Sequence, residues 1–252
     1  MFELPPEFQL STTSWLFAML AAFLIGLSKA GLKGIAVVNV TILAIVFGGK
    51  ASTGIMLPLL ITADICAVIY YKRDAQWMLL LKLLPWMIIG VLLGVLVGKD
   101  LPETIFKRGM AVIIFISVVM MYAWDRQKSA KVPTQWWFAG IMGLAAGFTT
   151  MIGNLAGAFS NVFFLAMRLP KTEFIGTAAW LFFIVNLIKA PFHIWVWETI
   201  SMDTFAINLR LIPVLLVGFM SGLWVVRQIQ ERHYRQLILI LTALGAFVIF
   251  FR

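Results

Sequence analysis

Uninterrupted apolar runs recur from one end of this chain to the other, and this constrains the fold more than any other feature. WMIIGVLLGVLVG (Trp86–Gly98) and MAVIIFISVVMMYAW (Met110–Trp124) are examples. A helix needs about 20 largely apolar residues to cross a bilayer, and with their flanks these runs reach that length. They do not alternate polar with apolar residues, so they read as helices and not as the strands of a membrane barrel. Of the 252 residues 62% are hydrophobic and 12% charged, where a soluble domain carries about 25% charged. The expected fold class is an all-α polytopic membrane protein, with the lipid bilayer as its first partner.

That class removes several functional readings. The formal charge of +9 belongs to loops that retain Lys and Arg on the cytoplasmic side, not to a nucleic-acid interface. The single cysteine, Cys66, excludes an internal disulfide framework and a cysteine metal cluster. Two histidines, His193 and His233, are too few and too far apart for a metal site, so no metal or cofactor is expected. No Ser–His–Asp set, phosphate loop or HExxH motif emerges, which argues against an enzyme or an ATP-driven pump. The start of the chain has Glu3 and Glu7 and lacks a basic leader region, so the first apolar segment is expected to stay in place.

Internal repetition organises the rest. A shift of 122 positions lays Gly31 on Gly153, Asn39 on Asn161, Gly54 on Gly176 and Asp64 on Asn186. Further on, LKLLPWMIIGVLLG (Leu81–Gly94) lies over LRLIPVLLVGFMSG (Leu209–Gly222), where Lys82, Pro85, Gly90 and Gly94 meet Arg210, Pro213, Gly218 and Gly222. Two homologous halves are therefore expected, 13–125 and 136–252, after an N-terminal segment 1–12 and joined by a cytoplasmic linker 126–135. Each half carries five apolar segments: Thr13–Leu27, Gly34–Gly48, Ala51–Tyr71, Gln76–Gly98 and Thr104–Trp124, then Trp136–Thr149, Leu155–Met167, Thr172–Trp195, Thr204–Val226 and Gln236–Phe251. The first two of each half are short. About 15 helical residues rise only ~22 Å against a ~30 Å hydrocarbon core. They are read as a broken or re-entrant pair, with three longer spans following, about 8–10 segments in all.

Charge tests the orientation. With the N-terminus outside and each short pair returning the chain to its own side, Lys29/Lys33, Lys72/Arg73, Arg126/Lys128/Lys131, Arg168/Lys171 and Arg227/Arg232/Arg235 face or open toward the cytoplasm. Counting each pair as one broken helix puts Lys72/Arg73 or the Arg227–Arg235 cluster on the wrong side. Five spans per half make the repeats inverted, as in secondary transporters. The expected location is the cell membrane, with room for a homo-oligomer.

The candidate substrate site lies in the paired breaks, SKAGLKGIAVVNVT (Ser28–Thr41) and TTMIGNLAGAFSNV (Thr149–Val162). Glycines allow turns and close backbone approach, and helix N-termini beyond a break favour an anion. Lys29, Gly31, Lys33, Gly34 and Asn39 in the first break, and Thr149, Thr150, Gly153, Asn154, Gly157 and Asn161 in the second, are the candidates. Small residues that merely allow close helix packing are the plainer alternative for any single glycine. Asp64, Asn186 and Lys189 lie within apolar spans, where a charge costs at least ~2.5–3.5 kcal/mol and faces a cavity or a partner. Asp64 is a candidate for proton coupling. An Asp64–Lys189 ion pair, or Lys189 reaching to the interface, is the static alternative. Lys82 and Arg210 read as interfacial anchors, and His193 as part of an interfacial aromatic belt.

RLPKTEFIGTAAWLFFIVNLIKAPFH (Arg168–His193), preceded by GFTTMIGNLAGAFSN (Gly147–Asn161), resembles the sulfite exporter TauE/SafE family, and the GLKG break with Gly54 resembles that family's first repeat. The resemblance implies a duplicated permease for small sulfur-containing or related organic anions such as sulfite, sulfoacetate or thiosulfate, bound at the Gly-rich breaks. Asn39 and Asn161 stand where the family commonly carries Pro. The leading reading is a secondary transporter exporting a small anion by alternating access at a midplane site, coupled to a proton or another ion or to the membrane potential. An anion channel or a non-transporting membrane scaffold are the alternatives.

Overall fold

The computed structural model describes residues 10–33, 35–126, 136–230 and 233–234. Among them the regular structure is helical: α1 (Thr12–Lys29), α2 (Ala36–Phe47), α3 (Gly49–Tyr71), α4 (Trp77–Lys99), α5 (Glu103–Arg126), α6 (Trp136–Gly153), α7 (Ala156–Ala166), α8 (Lys171–Trp195) and α9 (Met202–Gln228). Six of these, α1, α3, α4, α6, α8 and α9, are long and apolar enough to cross a membrane. The nine segments expected up to Val226 are all present. The tenth, Gln236–Phe251, lies outside the described residues, as do Gly34, residues 1–9 and residues 127–135.

One expectation needs correction. Only the second helix of each early pair is short. α1 and α6 have 18 residues each, whereas α2 has 12 and α7 has 11. Ser28, Lys29 and Thr150 ended the apolar pattern but not the helix, because their side chains are buried among other helices. Both helices stop at a residue with positive φ, Gly31 (φ 132°) and Asn154 (φ 56°). Gly31 holds a conformation open to glycine alone, and Asn tolerates the left-handed region. Under the sequence shift Gly31 aligns with Gly153, so the second break turns one residue later than the first.

The sequence shift relates one packed helix pair, α1 with α9, to another, α6 with α4. α1 runs alongside α9 in the same direction: Trp15 lies by Arg210, Gly26 by Leu215 and Phe219, and Ala30 by Gly222. α4 runs alongside α6 in the same way, with Gly143 against Trp86, Gly90 against Leu144 and Gly94 against Met151. These are backbone-to-backbone approaches. A β-carbon on Gly26 would lie 2.2 Å from the Leu215 carbonyl oxygen, on Gly218 2.1 Å from that of Phe23, and on Gly147 2.0 Å from that of Met87. Small residues supply such contacts where the hydrophobic effect cannot drive one helix onto another.

α3 and α8 pack antiparallel at the centre. Gly54, near the start of α3, meets Thr199 beyond the end of α8, and Gly176, near the start of α8, meets Tyr71 and Asp74 at the end of α3. One end of the bundle therefore gathers the α2–α3, α4–α5 and α8–α9 connections. There Lys50 Nζ donates to the Lys99 carbonyl at 2.6 Å, Glu103 accepts from the Gly49 backbone, and Trp197 packs on Gly98. The opposite end gathers the α3–α4 and α7–α8 turns and the end of α9. Gln76 N donates to Thr177 Oγ1 there, and the Tyr71 hydroxyl donates to the Ala30 carbonyl at 2.9 Å. Lys72, Arg73, Arg168, Lys171 and Arg227 all belong to that end.

Candidate functional site

A cavity lies where the two breaks converge. Its lining comes from both: Ser28, Lys29 and Lys33 with Asn39 on one side, Thr150, Asn154, Gly157 and Asn161 on the other, and Phe182 and Asn186 from α8 between them.

A buried polar chain runs along its wall. Lys29 Nζ, in the last turn of α1, donates to Asp64 Oδ1 of α3 at 2.6 Å. Asp64 is fully buried, and its other oxygen accepts from Asn186 Nδ2 at 2.7 Å. Asp64 and Asn186 are the residues that the shift of 122 superposes, and here they touch. Asn186 Oδ1 accepts in turn from Lys189 Nζ at 3.3 Å, and the same ammonium donates to Asn154 Oδ1 at 2.5 Å and Thr150 Oγ1 at 3.2 Å. Asn154 Nδ2 then donates to the Thr53 carbonyl at 3.1 Å. Each ammonium thus ties a helix break to a long central helix. Charges this deep persist only when hydrogen bonds replace the water they lose.

Lys33 is placed differently. It is 3% exposed, lines the cavity, and has no carboxylate within ion-pair reach among the described residues. Its ammonium lies 5.5 Å from the centre of the Phe182 ring, and the Lys29 ammonium lies 4.7 Å from the same ring. A ring face attracts a cation but leaves its hydrogens free to donate. Asn39 and Asn161 are 1% and 3% exposed, and Oδ1 of each is buried without a hydrogen-bond partner among the described residues.

The remaining candidates separate into those that reach the cavity and those that shape it. Gly31 packs on Ile175 and Val226, and Gly153 on Leu155 and Met110, so both act through the backbone. Thr149 Oγ1 donates back to the Ala145 carbonyl of its own helix at 2.7 Å. Asp64 pairs with Lys29 and not with Lys189, and Lys189 is fully buried instead of reaching the interface. His193 is likewise fully buried, with Nδ1 2.8 Å from Thr199 Oγ1 and its ring against Trp197. The α8–α9 loop folds back over it, which corrects the interfacial reading. Lys82 and Arg210 are exposed. Phe182 went unnoticed in the sequence because one more Phe in an apolar helix carries no signal of its own.

Residues 18–249, nearly the whole chain, match the sequence model of the family described as Sulfite exporter TauE/SafE. The chain belongs to the sulfite exporter TauE/SafE family. No curated protein sequence matches it. Membership makes it a multi-pass membrane protein of a transporter family that handles sulfur anions.

Proposed function

We propose that this TauE/SafE member is a secondary active transporter that exports a small sulfur-containing or organic anion, such as sulfite, sulfoacetate or thiosulfate, through the cavity between its two helix breaks. The observation that carries this reading is Lys33, a buried cavity lysine with no carboxylate within ion-pair reach among the described residues. An ammonium out of water needs a counter-charge, and a substrate anion would supply it. Lys29 adjoins the same space but is held by Asp64. An anion that draws Lys29 toward itself leaves the Asp64 carboxylate uncompensated, and a proton taken up there restores neutrality. Asp64 is thereby the proposed coupling group.

Orientation follows from the basic end of the bundle. Lys72, Arg73, Arg168, Lys171 and Arg227 favour the cytoplasmic side of the cell membrane, which leaves the N-terminus outside. The antiparallel packing of α3 on α8, helices that the repeat relates, supports inverted halves and alternating access. The bodies that move are not the sequence halves, however. α1 is packed on α9 and α4 on α6, so each body draws helices from both halves.

The test is uptake of radiolabelled sulfite, thiosulfate and sulfoacetate into proteoliposomes, with counterflow as the readout. Saturable counterflow that falls at least tenfold in Lys33→Ala and returns in part in Lys33→Arg is the expected result. Counterflow unchanged in Lys33→Ala would overturn the site. Unitary currents without counterflow would make the protein a channel.

A further inference from the structure

Asn39 and Asn161 set a condition on the substrate that the lysines do not. They are related by the shift of 122, sit on the two short helices α2 and α7, line one cavity, and share one defect. Each leaves its amide oxygen buried without a partner among the described residues. Buried polar atoms in native proteins are almost always paired, so a repeated exception at matched positions calls for a ligand. An amide has a donor end and an acceptor end, and a half-turn about its last side-chain bond exchanges them. As placed, each buried oxygen is out of a ligand's reach; the half-turn brings it to the cavity, where a ligand made of acceptor oxygens alone leaves it unpaired and one that carries a donor pairs it.

We infer that the transported anion, as bound, carries a hydrogen-bond donor beside its oxyanion group, and that Asn39 and Asn161 select for it. The chemical class is an oxyanion that keeps a proton, or a short sulfonate or carboxylate bearing a hydroxyl or ammonium group. The inference rests on the cavity being the anion site. Lys33 with the released Lys29 would take the charged oxygens, and the amides would take the donor. A site built to hydrogen-bond an OH or NH rejects the analogue that lacks it far more strongly than it distinguishes one methylene.

Matched pairs of sulfonates test this in the wild-type protein, by competition against a transported anion and by thermal shift. 2-Hydroxyethanesulfonate and 2-aminoethanesulfonate carry the donor, and propane-1-sulfonate fills the same length without it. Hydrogensulfite against methanesulfonate, at a pH where hydrogensulfite is protonated, makes the same comparison for a donor on the oxyanion itself. At least one donor-bearing member should compete at least tenfold more strongly than its partner. Asn39→Leu and Asn161→Leu should reduce that ratio to about one while retaining the weaker binding. Equal competition by donor-bearing and donor-free members would overturn the inference, leaving the amides to water, and would keep the anion site intact. No competition by any anion would instead overturn the anion site itself. A tenfold ratio that persists in both leucine variants would assign the selection to other groups and overturn the role of the amides.

Discussion

The Lys29–Asp64 pair is the residue-scale feature with the largest energetic consequence. Both groups are buried, Asp64 completely, and the carboxylate has one further partner, Asn186. Removing one member of a buried pair strands the other and typically costs ~3–5 kcal/mol, whereas replacing both with neutral groups is often close to neutral. Lys29→Met and Asp64→Asn should therefore each lower the unfolding midpoint of the detergent-solubilised protein, and the double variant should recover most of the loss. Coupled transport should be lost in all three. A double variant as unstable as the sum of the singles would show that the pair does not act as a unit. The sequence marked Asp64 as a charge in an apolar span and Lys29 as a cation of the first break, but the ion-pair partner it offered Asp64 was Lys189. Lys29 is 35 positions away and Lys189 is 125, and only the fold brings Lys29 to 2.6 Å.

At the scale of elements, the long apolar runs and their loops were legible, because bilayer thickness imposes a length that composition alone reveals. The ends of α1 and α6 were not. Polar residues there find partners on α3 and α8, and a local pattern contains no trace of partners across the bundle. Repeat-matched glycines were legible as conspicuous, but their use needed the structure. Gly54 and Gly176 each sit under a loop from the other central helix, and the two contacts differ in tightness. A β-carbon on Gly54 would lie 2.3 Å from the Thr199 carbonyl oxygen, whereas on Gly176 its nearest neighbours are at 3.0 Å. Gly54→Ala must displace the α8–α9 loop, and overpacking of this kind costs about 1–3 kcal/mol. Gly176→Ala needs only a few tenths of an ångström. Thermal unfolding should rank Gly54→Ala as the more destabilised. Equal midpoints would mean that the α8–α9 loop yields freely and does not seal its end of the bundle.

For the whole molecule, the decisive arrangement is that the most extensive packing joins helices from the first part of the chain to helices from the second. α1 lies on α9 and α4 on α6, while α3 and α8 cross at the centre, where Asp64 meets its own counterpart Asn186. The cavity is bounded by α1 and α2 on one side and α6 and α7 on the other, so in the proposed cycle opening it would move α1 with α9 against α6 with α4. Cross-links separate this from rocking of the two sequence halves. Cys66, the single native cysteine, is first replaced by serine. A cysteine pair at Trp15 and Arg210, where the guanidinium carbon lies 5.7 Å from the indole, then joins α1 to α9 within one proposed body. A second pair, at Ser28 and Gly157, spans the cavity between the bodies. Closing the first pair with a short bifunctional maleimide should leave counterflow nearly unchanged, although it ties the first half of the chain to the second. Closing the second should abolish it, and cleaving a reducible linker should restore it. Loss of transport from the α1–α9 cross-link alone would show that those helices part during the cycle, and the moving bodies would then be the sequence halves after all.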